Sequence, residues 1–88
     1  MSIEFDPIKN LINYQKHGVY LTDAASFEWE SAIIWQDMRY DYQEPRMVSL
    51  GYIENRLFCM VFVDRTETRR IISLRKANNR EIKRYAST

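Results

Sequence analysis

This 88-residue chain has one cysteine, one histidine, two glycines and two prolines. A single thiol, Cys59, cannot close an internal disulfide, and its place in the most apolar run reads as a small core residue. So little glycine leaves no Gly-rich phosphate loop, and scarce glycine and proline beside 14% aromatic residues argue against disorder over most of the chain. One histidine, His17, excludes a two-histidine nuclease. Neither an HExxH pattern nor a Cys/His cluster at zinc spacing occurs, so no metal and no cofactor are expected. No apolar run approaches the roughly 18 residues needed to span a bilayer. The start, "MSIEFDPIKN", lacks the apolar region of a signal peptide. These absences read as a cytoplasmic protein without membrane contact, and the length suits one domain, 1–88.

What the chain does have is charge, unevenly placed. The formal net charge is +1, yet residues 1–44 carry three basic and eight acidic side chains, a balance of −5, while residues 45–88 carry ten and four, a balance of +6. The stretch "RRIISLRKANNREIKRY", from Arg69 to Tyr85, holds seven Lys and Arg around one Glu. Such asymmetry marks a polyanion-binding surface, a surface met by an acidic partner, or a solvated basic face.

The pattern along the chain predicts an α+β layer: a small antiparallel sheet flanked by N-terminal helices and a short C-terminal helix. "SIEF" reads as a first strand. Asp6 offers an N-cap and Pro7 an N1 residue for a helix through about Lys16, with Ile8, Leu11, Ile12 and Tyr14 toward the core and Gly18 closing it. Thr22 or Asp23 would cap a second helix, "DAASFEW". "SAIIW" reads as a strand, and "QDMRYDYQEP" as a loop or irregular edge. Three runs, "RMVSLGYI", "RLFCMVFV" and "TRRIISLRK", have separators short enough for an antiparallel meander. In the last run Ile72 and Leu74 share one face, while Arg69, Ile71, Ser73 and Arg75 share the other. Asn78 and Glu81 form a capping box for a last helix with Ile82 and Tyr85 on one side.

This arrangement would gather Arg69, Arg75, Lys76, Arg80 and Lys83 or Arg84 in one neighbourhood, with Tyr85 close by. Guanidinium groups bind phosphate through paired hydrogen bonds and stay charged at any relevant pH, so clustered Arg suits RNA or DNA. RNA cleavage needs no metal if the ribose 2′-OH attacks its neighbouring phosphate while cations stabilise the growing charge. Arg46, Arg75 and Arg80 are placed to converge on one phosphate. His17 is the natural acid/base candidate, but a histidine before Gly18 at a helix end is explained by capping alone, and the structural reading is favoured. Arg70 shares the parity of Ile72 and Leu74 and so suits a structural ion pair. Two functions fit these residues: an RNA-cleaving enzyme, or a non-enzymatic basic module that binds RNA or an acidic protein partner. No helix-turn-helix is evident.

Three blocks, "FDPIKNLINYQKHGV", "RMVSLG" and "RIISLRKANNREIKRY", resemble in order and spacing the BrnT family of type II toxins. The resemblance runs from about Phe5 to Tyr85. It implies a fold like that of the RelE ribonuclease toxins and RNA cleavage that inhibits translation and arrests growth. It also implies a cognate BrnA-like antitoxin with a ribbon-helix-helix DNA-binding domain, so that DNA is met only through that partner. In such toxins the site is built from basic and Tyr side chains on the sheet and C-terminal segment. That points to Arg46, Arg75, Arg80, Tyr85 and His17 as catalytic candidates, and to Arg69, Arg70, Lys76, Lys83 and Arg84 as RNA-binding ones. Pro45 stands where family members carry Glu, with Glu44 one residue earlier.

Overall fold

In the computed structural model, which describes residues 2–88, the three runs read as a meander do pair in sequence. They are β3 (Met47–Ile53), β4 (Arg56–Asp64) and β5 (Thr68–Lys76), joined antiparallel. Two strands complete the sheet: β1 (Ser2–Glu4) beside β5 and β2 (Ile33–Gln36) beside β3, in the order β1-β5-β4-β3-β2. β1 runs parallel to β5, so the sheet is mixed rather than wholly antiparallel. β4 is central and buries both parities, as its unbroken apolar run requires.

Helix α1 (Pro7–His17) begins where its cap predicts: the Asp6 carboxylate accepts the Ile8 N–H at 2.8 Å and the Lys9 N–H at 3.4 Å. Gly18 ends it at φ 74°, donating its N–H to the Tyr14 carbonyl. The helix is turned the other way from its apolar pattern. Ile8, Leu11, Ile12 and Tyr14 are exposed, and Asn13 is the buried residue. The reason lies in backbone satisfaction. β1 pairs only with residues 68–70 of β5, so the rest of that edge needs another partner. Asn13 supplies it: its Nδ2 donates to the carbonyls of Leu74 (2.7 Å) and Val19 (2.8 Å), and its Oδ1 accepts the Leu74 N–H (3.2 Å). Asn10 likewise accepts the N–H groups of Leu21 and Thr22.

The apolar cover on this face comes from the next segment. It is not the expected α-helix but two 3-10 turns, Leu21–Ser26 and Trp29–Ser31. Leu21, Ala24 and Phe27 pack on Phe58, Met60, Phe62, Ile71 and Leu74. The tip of the Phe27 ring sits against Gly51, where a Cβ would fall 2.5 Å from Cζ, so the strand can carry only glycine there without a shift. The opposite face holds Val48, Leu50, Leu57, Cys59 and Ala77, with Trp35, Tyr52, Val61 and Tyr85 against them.

Ile71 and Leu74 share the first face, although their spacing is odd. A β-bulge opposite Val61 and Phe62 leaves Ile72 without a cross-strand partner and reverses the parity beyond it. The expected grouping of Ile72 with Leu74, and of Arg69 with Arg75, is therefore overturned. After β5, helix α2 (Asn79–Ala86) starts on the capping box of Asn78 and Glu81, each side chain bonded to the other's N–H at 2.9 Å. Its sheet-facing side is Glu81, Arg84 and Tyr85, and Ile82 is exposed.

Candidate functional site

The second face of the sheet is only partly covered by α2, which leaves a hollow of about 560 Å³. β4 and β5 contribute Cys59, Val61 and Arg75, β2 and β3 contribute Trp35 and Val48, α2 contributes Glu81 and Arg84, and the loop after β2 contributes Asp37 and Arg39. Arg75 donates Nη1–H and Nη2–H to the two Glu81 oxygens at 2.8 and 2.9 Å and a further Nη1–H to the Lys76 carbonyl at 3.3 Å. Its Nε–H and an outer Nη2–H remain for a ligand. The Arg75 fork holds the Glu81 carboxyl below the usual carboxylate range, and Glu81 raises Arg75 in return.

Arg84 lies with its guanidinium 3.7 Å from the centre of the Trp35 ring. Among the described residues no carboxylate pairs with it, whereas Arg39 and Arg75 each have one. Arg84 is thus the uncompensated charge of the hollow. Arg39 is bound by buried Asp37 through its backbone N–H (3.1 Å), Nε (3.0 Å) and Nη2 (3.0 Å). These bonds push the Asp37 carboxyl far below its ordinary value. The Tyr42 hydroxyl donates to the same carboxylate, and desolvation followed by that bond raises its pKa. Burial, against the pull of Arg75, pushes the Cys59 thiol up to about 11, so it is neither a nucleophile nor a proton carrier at neutral pH.

The remaining sequence candidates disperse. Arg69 lies on the other face, against Trp29 and Phe62 and bonded to Asp64, because the bulge separates its parity from that of Arg75. Arg70 pairs with Glu4 at 3.8 Å, the expected ion pair, although the bulge removes the parity with Leu74 from which it was expected. Lys76 lines a shallow groove at the β3–β4 turn. Arg80 and Lys83 are exposed on α2 and do not line the hollow. His17 is exposed at the end of α1, on the helix that serves the first core face. The Tyr85 hydroxyl donates to the Ser31 carbonyl at 2.7 Å and its ring meets Tyr52 edge-on, which ties α2 to the second 3-10 turn.

Arg46 sits over the Tyr42 ring at 4.4 Å and lines a separate hollow of about 230 Å³ with Arg65 and Arg70. It precedes Met47, which is level with Phe62, whereas Arg75 is level with Cys59. Arg46 is thus level with Val63, four residues from Cys59, and at about 3.3 Å per residue the two side chains stem from positions about 13 Å apart along the strands, with β4 between them. They line separate hollows and Arg80 lines neither, so the expected convergence of Arg46, Arg75 and Arg80 is not built by this fold. Glu44, beside Pro45, is gripped by Arg65 at 3.0 and 3.2 Å.

The family whose model matches residues 5–81 is described as ribonuclease toxin, BrnT, of type II toxin-antitoxin system. The chain belongs to the BrnT family. A search among curated proteins finds no match. Type II membership makes an antitoxin the partner of this BrnT chain, and ribonuclease action the family activity. The matched span includes Arg75 and Glu81 and stops before Arg84. No helix among the described residues is long and apolar enough to cross a membrane. Trp35, Asp37 and Arg39 are the parts of this BrnT hollow that the residue pattern did not single out. The local signal was the Asp-x-Arg spacing of Asp37 and Arg39, the form of an Asx turn.

Proposed function

We propose that the chain is a metal-independent endoribonuclease whose hollow over β4 and β5 grips the scissile phosphate. The observation that carries this reading is the pairing of an uncompensated guanidinium, Arg84 on Trp35, with Arg75 held in a fork by Glu81. The ribose 2′-oxygen attacks its own phosphorus and its proton passes to solvent. The bond to the next 5′-oxygen breaks, that oxygen takes a proton from water, and a 2′,3′-cyclic phosphate and a 5′-hydroxyl remain. Arg84 and the free Nε–H of Arg75 stabilise the charge that grows on the phosphoryl oxygens. Arg46 holds a neighbouring phosphate, and Arg80 and Lys83 add long-range attraction. Glu81 positions Arg75, Tyr85 anchors α2, and His17 serves the negative end of α1.

Cleavage of mRNA in the cytoplasm would inhibit translation and arrest growth. The antitoxin would be BrnA-like, covering this face with an acidic or amphipathic segment and carrying a ribbon-helix-helix domain for DNA. A second reading, RNA or partner binding without cleavage, is favoured by one feature: both carboxylates of the hollow are held by Arg and none is left as a free base.

The test is cleavage of end-labelled RNA by the purified chain in excess chelator, with analysis of the new termini. Cyclic-phosphate ends are expected, and Arg84→Ala and Arg75→Ala should each lower the rate about 100-fold. Intact RNA in the presence of folded protein that binds it would leave the binding reading standing and refute the enzymatic one.

A further inference from the structure

Beside the cationic hollow lies a notch of about 310 Å³ in the β2–β3 loop, walled by Met38, Tyr40, Asp41, Tyr42, Gln43 and Pro45. Gln36, Asp37 and Met38 form the partition between the two. Met38 and Tyr40 are 78% and 66% exposed, among the most exposed large apolar side chains of the protein. The loop that carries them is nonetheless braced. Buried Asp37 staples the backbone and side chain of Arg39 and the hydroxyl of Tyr42. The Arg39 guanidinium lies 5.6 Å from the Tyr40 ring centre, and Tyr40 meets Tyr42 edge-on at 5.9 Å. The loop thus presents an aromatic and thioether surface to water at the rim of the cationic hollow.

The chemistry of the notch is the complement of the hollow. No Arg or Lys lines it, and no ion pair among the described residues involves Asp41. The notch thus offers no guanidinium or ammonium in its own lining to grip a phosphate. Flat π surface from Tyr40, a thioether from Met38 and hydrogen-bonding groups from Gln36 and Gln43 suit a planar heterocycle that stacks by its face and bonds by its edge. We propose that this notch takes one unpaired nucleobase of the RNA, next to the phosphate held by Arg75 and Arg84. The proposal rests on the ribonuclease reading and names the substrate element that the loop selects. Tyr40 and Met38 act as specificity residues that set which phosphate enters the hollow.

The experiment measures binding of the full chain to a single-stranded RNA of about ten nucleotides, fully 2′-O-methylated so that the 2′-oxygen cannot attack. Fluorescence anisotropy at constant ionic strength reads affinity, and a single abasic site is walked along the oligonucleotide. One abasic position should weaken wild-type binding about tenfold. Tyr40→Ala should weaken binding of the intact oligonucleotide by a similar factor and add nothing on that abasic one, while Tyr40→Phe should bind as wild type does. Because Tyr40 is exposed, the variants should melt with the wild type. Unchanged binding by Tyr40→Ala and Met38→Ala, or a loss that is the same at every abasic position, overturns the notch. If natural RNA is still cut in that case, the ribonuclease reading survives without it. If the wild type neither binds nor cuts RNA, both fall.

Discussion

Glu81→Gln separates the two tasks that one carboxylate performs. Glu81 accepts the Asn78 N–H at the start of α2 and both Nη groups of Arg75, with its side chain 17% exposed and that of Arg75 37% exposed. Glutamine can keep the cap through its carbonyl oxygen, but its NH₂ then faces an Arg75 donor. Hydrogen bonds to charged groups contribute about 1.5–3 kcal/mol when sheltered, and exposure of this pair to solvent reduces that, so a loss of about 1–2 kcal/mol is expected. In a domain of this size that lowers the thermal midpoint by roughly 5–10 °C. Arg75, no longer held, should lose about tenfold or more in cleavage rate with a smaller effect on RNA binding.

The same pair has a pH signature. Arg75 holds the folded-state pKa of Glu81 below its ordinary 4.5, so its contribution to stability is fully present above that value. It is lost as pH falls through the lower folded value. The stability gap between wild type and Glu81→Gln, measured by urea denaturation, should be flat well above pH 4.5 and shrink progressively as the pH falls below it. Equal stabilities at neutral pH, or a gap that persists undiminished in acid, would refute the assignment of the fork as an ion pair.

Asn13→Ala should cost about 2–4 kcal/mol, because it strands the buried N–H and carbonyl of Leu74 at the β5 edge. A loss under about 0.5 kcal/mol in denaturant melts would mean that water replaces the amide and that α1 is tethered elsewhere. Cys59, buried with its thiol pushed up to about 11, should resist iodoacetamide in the native protein and react fully in denaturant. Native labelling at the rate of a free thiol would show that the hollow opens down to β4.

Much of the architecture was legible because it is set by neighbours in sequence. Asp6-Pro7 and Gly18 bound α1, Asn78 and Glu81 start α2, and the Glu54-Asn55 step joins two apolar runs into a hairpin, with Glu54 at a positive φ of 56°. The unbroken run from Leu57 to Val63 announced a strand buried on both sides. The block pattern pointed to the BrnT family, and the family match agrees.

The site was less legible, because a side chain's face depends on pairing partners far along the chain. One unpaired residue, Ile72, puts Arg69 and Arg75 on opposite faces of the sheet, and no rule of alternation within β5 reveals it. Helical periodicity assigned Ile8, Leu11 and Ile12 to the core. The open β5 edge instead needed hydrogen bonds, and Asn10 and Asn13 took the inner face. The run of seven Lys and Arg from Arg69 to Tyr85 likewise looked like one cationic cluster, but folding spreads it over both faces and both ends of the sheet. Arg39, from the acidic half of the chain, joins Arg75 and Arg84 in its place. By itself the sequence determined the strands, the two α-helices with their caps and the family, since these rest on local backbone chemistry. Which cations share a hollow was decided only by the tertiary structure, since that follows from the bulge, the packing of α2 on the sheet and the stapled β2–β3 loop.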